Sequence, residues 1–253
     1  MIQQSVILER SEHIARITLN RPDQHNSLAG EDIALFHSHL EQIESDDAIR
    51  VTVITGSGDR TFCAGASLKE FRSGNMSGDL FTTLTDRIAA LPMPSLCLLN
   101  GNVFGGGAEI ALCCDYRIGV DSIRMKVPAA AIGLCYPLNG LQRYVDKLGL
   151  STAKRILVAA ETLDAQSMLQ CGFLHRIVSA EELDTIGAEF TDHLAGLAPM
   201  ATRAMKKVLH AIASGHCDEQ QARCLHDACA NSADLQEGLA AQRERRAPAF
   251  KGV

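Results

Sequence analysis

Three stretches of the sequence carry residues whose types and spacing could do chemistry. The first, TFCAGASLKEF at 61–71, sets a glycine among small residues directly after an apolar run and a turn. Backbone N–H groups in such a segment can approach a ligand closely. The second, NGNVFGGGAEIALCCDYRI at 100–118, places Gly105, Gly106 and Gly107 immediately before Ala108–Cys114, which reads as a helix. A helix start offers unpaired N–H groups and partial positive charge, a natural place for an anion. The third, KVPAAAIGLCYPLNGLQRY at 126–144, spaces Pro128, Gly133, Pro137 and Gly140 along what reads as a loop around the titratable Tyr136.

Glu109 is the leading candidate for proton transfer. It follows the glycine run and Ala108 inside an otherwise apolar turn. A carboxylate there is desolvated, which raises its pKa and suits general acid–base work. The competing account is a structural glutamate stabilised near a helix start. Rival chemistries find no support. There is no GxxxxGK[ST] phosphate loop, and residues 101–107 do not fit GxGxxG. His210, His216, Cys217, Cys224, His226 and Cys229 crowd together, but their spacing matches no zinc pattern. Helix packing is the better account of that cluster, and no metal is expected.

The elements that must position these residues can be read from apolar periodicity. Ser5–Glu9 and Ile14–Leu19 read as strands, and Ile33, Phe36, Leu40 and Ile43 mark an amphipathic helix. Val51–Thr55, Ser95–Leu99 and Tyr116–Val120 read as strands, with a helix through Phe81, Leu84, Ile88 and Leu91 between the first two. This alternation, to about residue 180, predicts an α/β core with largely parallel pairing. Beyond Glu181 the pattern turns helical, with one stripe at Leu183, Ile186, Phe190, Leu194 and Leu197. Another runs through Met205, Val208, Leu209 and Ile212, and Pro199 stands where a helix can start. Such a tail is a packing layer or an oligomer surface rather than an independent domain.

Composition narrows the partners. With 24 Lys+Arg against 30 Asp+Glu the net charge is −6, so the chain lacks the basic field that nucleic-acid binding requires. No membrane span and no signal peptide are expected. The nine cysteines sit mostly within apolar runs and contain no CxxC pair, which suits buried, reduced thiols and a cytoplasmic location.

Taken together, NRPDQHNSL (20–28), ITGSGDRTFCAGASLKEF (54–71), the 100–118 block and EGLAAQRERRAPAFKG (237–252) resemble the crotonase (enoyl-CoA hydratase/isomerase) superfamily over nearly the whole chain. The resemblance implies an α/β crotonase-like ββα spiral with two roughly perpendicular sheets and a carboxy-terminal helical layer. Residues 1–195 would form the spiral core and 196–253 a helical tail for trimerisation and for covering CoA. The implied assembly is a homotrimer or dimer of trimers. The implied substrate is an acyl-CoA thioester, with coenzyme A part of the substrate and no separate cofactor.

In site terms the resemblance implies that the N–H groups of Ala66 and Gly106 hold the thioester oxygen as an enolate forms. Gln24 and Ser27 match positions near the adenosine. Ala64, Ser67 and Leu68 match the pantetheine channel, although the common motif has Asp where this chain has Ser67. Lys69 stands either near the phosphates or free in solvent. Arg245 stands where a relative's lysine nears the nucleotide, or is a surface arginine. Gly105, Pro128 and Ala129 complete the expected substrate-binding set.

One group is missing. Family hydratases carry a second glutamate directly after the proline of this loop, where Pro128 is followed by Ala129. The loop's Gly-x-x-Tyr-x-Leu-x-Gly pattern around Tyr136 is instead similar to that of methylmalonyl-CoA decarboxylases. The family resemblance still implies a lyase acting on an enoyl-CoA-like substrate. Decarboxylation of a malonyl-type thioester, with Tyr136 placing the carboxylate or delivering a proton, is the alternative, and non-catalytic CoA binding the third possibility.

Overall fold

The computed structural model describes residues 4–67, 69–70 and 78–253. The chain opens with an antiparallel hairpin of β1 (Val6–Ser11) and β2 (Ile14–Leu19), Val6 opposite Leu19. Helix α1 (Gly30–Glu44) follows. Three turns then repeat one plan: a strand in a large sheet, a short strand in a small sheet, and a helix. They are β3 (Val51–Gly56), β4 (Thr61–Cys63) and α2 (Gly78–Ala89); β5 (Ser95–Leu99), β6 (Asn102–Phe104) and α3 (Gly106–Cys113); β7 (Tyr116–Val120), β8 (Arg124–Lys126) and α4 (Leu138–Leu157). After β9 (Leu163–Asp164), α5 (Ala165–Gln170) and β10 (Arg176–Val178), the rest is helical: α6 (Leu183–Ala195), α7 (Pro199–Ala213), α8 (Glu219–Ala230) and α9 (Ala233–Glu244).

The large sheet has the order β1-β2-β3-β5-β7-β10 and the small one β4-β6-β8-β9. Pairing is parallel from β2 through β10 and from β4 through β8. Parallel strands covered on both faces need apolar side chains at every position. That is why VTVIT and SLCLL are buried throughout, while β2, nearer the edge, alternates half-buried and buried residues. The tail is tied back to this core. Arg50 donates to the carbonyls of Ala195 (3.2 Å) and Phe250 (2.8 Å), and the Asp234 carboxylate accepts from the Lys251 and Gly252 amides.

Several readings of the sequence need correction. β1 runs on to Ser11 instead of ending at Glu9. α3 begins two residues before Ala108, so Gly106 and Gly107 lie inside the helix. Of the stretch 126–144, Lys126 closes β8 and only 127–137 is a loop, with one 3-10 turn at Ala130–Ile132. From Leu138 it is α4, because Pro137 fixes the extended φ/ψ of a helix N-cap and Leu141, Tyr144 and Leu148 then make a helical apolar face. Only Cys63, Cys97, Cys113 and Cys114 are buried; Cys135, Cys217 and Cys224 are exposed, and all nine are free. Helix packing fails for His216, Cys217, Cys224 and His226, which α8 and the turn before it leave exposed. Met205, Leu209 and Ile212 also project from α7 into solvent.

Asn26 carries the structural duty of the 20–28 segment. It sits in the left-handed region (φ 51°) and is 1% exposed. Its Nδ2 donates to the Ser57 (3.0 Å) and Thr61 (2.8 Å) carbonyls, and its Oδ1 accepts from the Arg21 amide (2.9 Å). Asn26→Ala leaves three backbone groups unpaired, each costing about 1–3 kcal/mol where water cannot reach. Urea unfolding of the variant should show a loss of about 2–4 kcal/mol.

Candidate active site

The glycines of the first two motifs press two stretches of backbone together. β4 and β6 run parallel, Thr61 opposite Asn102, so the chain leaves both strands side by side. Gly65 then turns with φ +80°, and a Cβ there would overlap the Gly106 nitrogen and lie 2.7 Å from its Cα. A Cβ on Gly106 would meet the Phe81 ring at 2.5 Å, and one on Gly107 would overlap the Cys63 carbonyl oxygen. Each glycine is required by a different neighbour.

This contact sets two N–H groups near one another. Leu28 bridges to Ala66 as in a parallel sheet: the Leu28 amide donates to Gly65 O and the Ser67 amide to Leu28 O, both at 2.8 Å. In that pattern the Ala66 N–H points away from Leu28. Gly106 is the first residue of α3, whose N–H has no carbonyl one turn back. Neither N–H has an acceptor among the described residues. The Ala64 amide donates to His25 O (3.0 Å), so residues 25–28 run beside 64–67 and bring partly buried Ser27 to the same strand of chain. Gln24 and Lys69 are exposed, Pro128 partly buried and Ala129 buried at 6% exposure. Leu68 lies outside the described residues. Arg245 caps the end of α9, exposed, with no hydrogen bond or ion pair to these segments among the described residues.

Glu109 lies one turn into α3 and is 4% exposed. Its Oε1 accepts from Arg143 Nη1 at 2.6 Å and from the Thr85 hydroxyl at 3.1 Å. Oε2 has no donor among the described residues. Burial raises the carboxyl's pKa, and the Arg143 charge and the Thr85 hydrogen bond pull against it. Arg143 also pairs with Asp86, whose other oxygen accepts from Asn139 Nδ2 at 2.8 Å. Tyr136 and Glu109 meet over Gly140, where a Cβ would come within 3.0 Å of the Tyr136 ring and 3.1 Å of Glu109 Oε1. Burial, and then the Glu109 charge, hold the Tyr136 phenol far above its ordinary pKa, so it stays a neutral donor. The Tyr136 ring stands edge-on to Tyr144 at 6.1 Å. The buried Tyr144 hydroxyl feels the Tyr136 hydroxyl electrostatically, but no well-aligned bond joins them.

Sequence reasoning named Gly140 only as a loop residue and missed Arg143, Thr85 and Asp86. The 3 and 4 spacing of Leu141, Tyr144 and Leu148 signals the helix that carries Arg143, but it was masked by reading 126–144 as a loop.

The sequence profile described as Enoyl-CoA hydratase/isomerase matches residues 9–253. The chain belongs to the enoyl-CoA hydratase/isomerase family. It is 31% identical to the (E)-benzylidenesuccinyl-CoA hydratase of Thauera aromatica, covering 98% of this chain and 99% of that one. It is 29% identical to the 2,3-dehydroadipyl-CoA hydratase of Escherichia coli, covering 98% of each. An enoyl-CoA hydratase structure from Bacillus anthracis superimposes with a TM-score of 0.92 at 28% identity, over 99% of this chain and all of that one. A Magnetospirillum magneticum enoyl-CoA hydratase/carnithine racemase gives 0.94 at 27%, over 99% and 97%. The fold is thus the crotonase spiral, and the chain is an acyl-CoA enzyme of that family. Among the described residues no helix is long and apolar enough to cross a membrane.

Because Arg143 opposes the effect of burial on Glu109, its removal has a signed consequence. In Arg143→Gln the Glu109 carboxyl should titrate higher than in the wild-type protein, and in Arg143→Lys closer to it. Carbon-13 NMR of labelled glutamate side chains across the pH range measures both.

Proposed function

We propose that this enzyme is a lyase that adds water across the α,β double bond of an enoyl-CoA thioester. The observation that carries the reading is the pair of unclaimed N–H groups, Ala66 and Gly106, one helical turn from a buried carboxylate with one oxygen free. In this mechanism the two N–H groups receive the thioester oxygen. Glu109 Oε2 takes a proton from water as its oxygen bonds to the β-carbon, and negative charge moves onto the thioester oxygen. The same carboxyl then returns the proton to the α-carbon, so one water is added and Glu109 ends as it began. Arg143 and Thr85 hold Oε1, which fixes the orientation of Oε2 and keeps the carboxylate available as a base. Each N–H donor in such a dry site contributes about 3–4 kcal/mol to the transition state. Hydratase chemistry in the named relatives agrees with this reading.

Gln24, Ser27, Ala64, Gly105, Ser67, Leu68, Pro128 and Ala129 are assigned to the CoA and acyl channel, and Lys69 and Arg245 to the nucleotide phosphates. CoA is part of the substrate, and no further cofactor is assigned. A cytoplasmic homotrimer or dimer of trimers completes the reading. The exposed apolar side chains Leu150 of α4, Val158 just after it, and Leu235 and Leu239 of α9 support assembly.

A second reading, decarboxylation of a malonyl-type thioester, is favoured by one observation. Ala129 contributes only a buried methyl group after Pro128, while neutral Tyr136 supplies a donor beside Glu109. Decarboxylation needs no base, only stabilisation of the enolate.

Product analysis by mass spectrometry after incubation with crotonyl-CoA and with methylmalonyl-CoA tests the two together. The expected product is 3-hydroxybutyryl-CoA, with kcat reduced about 10²–10⁴-fold in Glu109→Gln. Propionyl-CoA from methylmalonyl-CoA without hydration of crotonyl-CoA overturns the first reading in favour of the second. Ala129→Glu should raise hydration, because a second carboxylate can then orient water.

The backbone donor is tested by Gly106→Pro made in a Phe81→Leu background, which gives the new ring room. The first helical position tolerates proline, so the folded variant loses chiefly one N–H. A fall of about 10²–10³ in kcat relative to Phe81→Leu alone is expected. Unchanged turnover removes Gly106 from the oxygen's binding site.

A further inference from the structure

A cationic cavity lies at the opposite end of α3 from the candidate active site. It encloses about 510 Å³, and its lining includes Asp115, Arg117, Lys147, His175, Lys206 and His210. Part of this charge serves the helix. Arg117 Nη1 donates to the carbonyls of Cys114 (2.6 Å) and Ala111 (3.4 Å), and its Nε donates to Phe173 O. Lys147 Nζ donates to the same Cys114 oxygen at 3.0 Å. Two cations therefore share one carbonyl at the negative end of the helix.

The carboxylate nearby is already engaged. Asp115 Oδ2 accepts from Lys206 Nζ (2.6 Å), the Ser95 amide (2.8 Å) and the Ser95 hydroxyl (2.9 Å). His210 Nε2 stands 3.8 Å from Oδ1. Neither Arg117 nor Lys147 has a carboxylate partner among the described residues, although Arg117 is only 3% exposed. With both histidines neutral, three cations face one carboxylate.

His175 sharpens the point. The Arg117 backbone N–H donates to His175 Nδ1 at 3.0 Å, so in the neutral ring the proton is on Nε2. Yet Nε2 lies 3.2 Å from Arg117 Nη2, a guanidinium nitrogen that can only donate. Two donors face each other with no acceptor between them. Burial and then the Arg117 and Lys147 charges push the His175 pKa down to about 4, as expected beside uncompensated positive charge.

We propose that this cavity is an anion site for a phosphate-type oxyanion, free or as the phosphoryl group of a small metabolite. Its oxygens accept from Arg117 Nη2, His175 Nε2 and Lys147 Nζ. The anion resolves the opposed donors and supplies the negative charge that Arg117 and Lys147 lack. The site is separate from the acyl-CoA site, because α3 runs between them.

The test is calorimetric titration of the full-length protein with inorganic phosphate and with glycerol phosphate, at constant ionic strength and with saturating CoA present. CoA occupies its own phosphate contacts and removes them from the measurement. Saturable binding of either probe, weakened at least 10-fold in Lys147→Met, is the expected result, and the tighter probe identifies the source of the oxyanion. Nitrogen-15 resonances of the His175 ring in the wild-type protein should shift with the same midpoint, a readout independent of how the variant folds. Absence of saturable binding, equal binding by Lys147→Met, or an unmoved His175 ring overturns the proposal. Wild-type protein that ignores phosphate, with a sedimentation coefficient that changes in Lys147→Met, overturns it in favour of an acidic side chain of a second copy in the cavity.

Discussion

The close approach of Gly65 to Gly106 is the constraint on which the rest of the site depends. A β-carbon at Gly65 cannot coexist with the Gly106 backbone, so the two loops after β4 and β6 touch main chain to main chain. That contact leaves two N–H groups unclaimed in one place. The surrounding structure maintains it from several directions. Asn26 fastens the 20–28 segment to the β3–β4 turn, and Asn100 grips the same turn through the Gly56 amide (3.1 Å) and the Gly58 carbonyl (2.7 Å). Phe81 of α2 fills the space a Gly106 side chain would take, and the Cys63 carbonyl abuts Gly107. Donors held this way need no reorganisation when charge develops, which is why fixed backbone dipoles act so strongly in a dry site.

Around that fixed point, Glu109 is balanced between two opposing effects. Burial favours the neutral acid, and Arg143 favours the carboxylate. Neither removes the other, because Arg143 divides its charge between Glu109 on α3 and Asp86 on α2. Arg143 itself comes from α4, so one guanidinium joins the helices of all three ββα turns. A planar fork with five donors can do this; a lysine, with a compact charge, holds one such geometry less well. The cost of burying these charges is offset only because each is hydrogen-bonded.

The two ends of α3 thus have opposite electrical tasks. At its start, free N–H groups and a desolvated carboxylate meet. At its end, exposed carbonyls gather Arg117 and Lys147, while Asp115 and Lys206 tie the tail helix α7 to the starts of β5 and β7. Helix α7 is therefore tied to the core electrostatically as well as by packing.

The strands β1, β2, β3, β5 and β7, most helices and the glycine-rich segments were legible in the sequence alone, whereas β4, β6, β8, β9 and β10 are too short to leave a periodic pattern. Unbroken apolar runs such as Val51–Thr55 and Ser95–Leu99 fit only doubly covered strands, and the type and order of the motifs already pointed to the family. Glu109 was visible because a lone carboxylate in an apolar turn is chemically conspicuous. What surrounds it was not. Thr85 and Arg143 lie 24 and 34 residues from Glu109 in the chain, Asp86 beside Thr85, and long-range ion pairs leave no local pattern. The same holds for the glycines: the sequence showed that backbone could come close, but only the folded sheets decided which backbone it meets. Periodicity reports which face of an element is buried. Which elements then lie against one another, and hence which charges must share a buried space, is settled by packing across the whole chain.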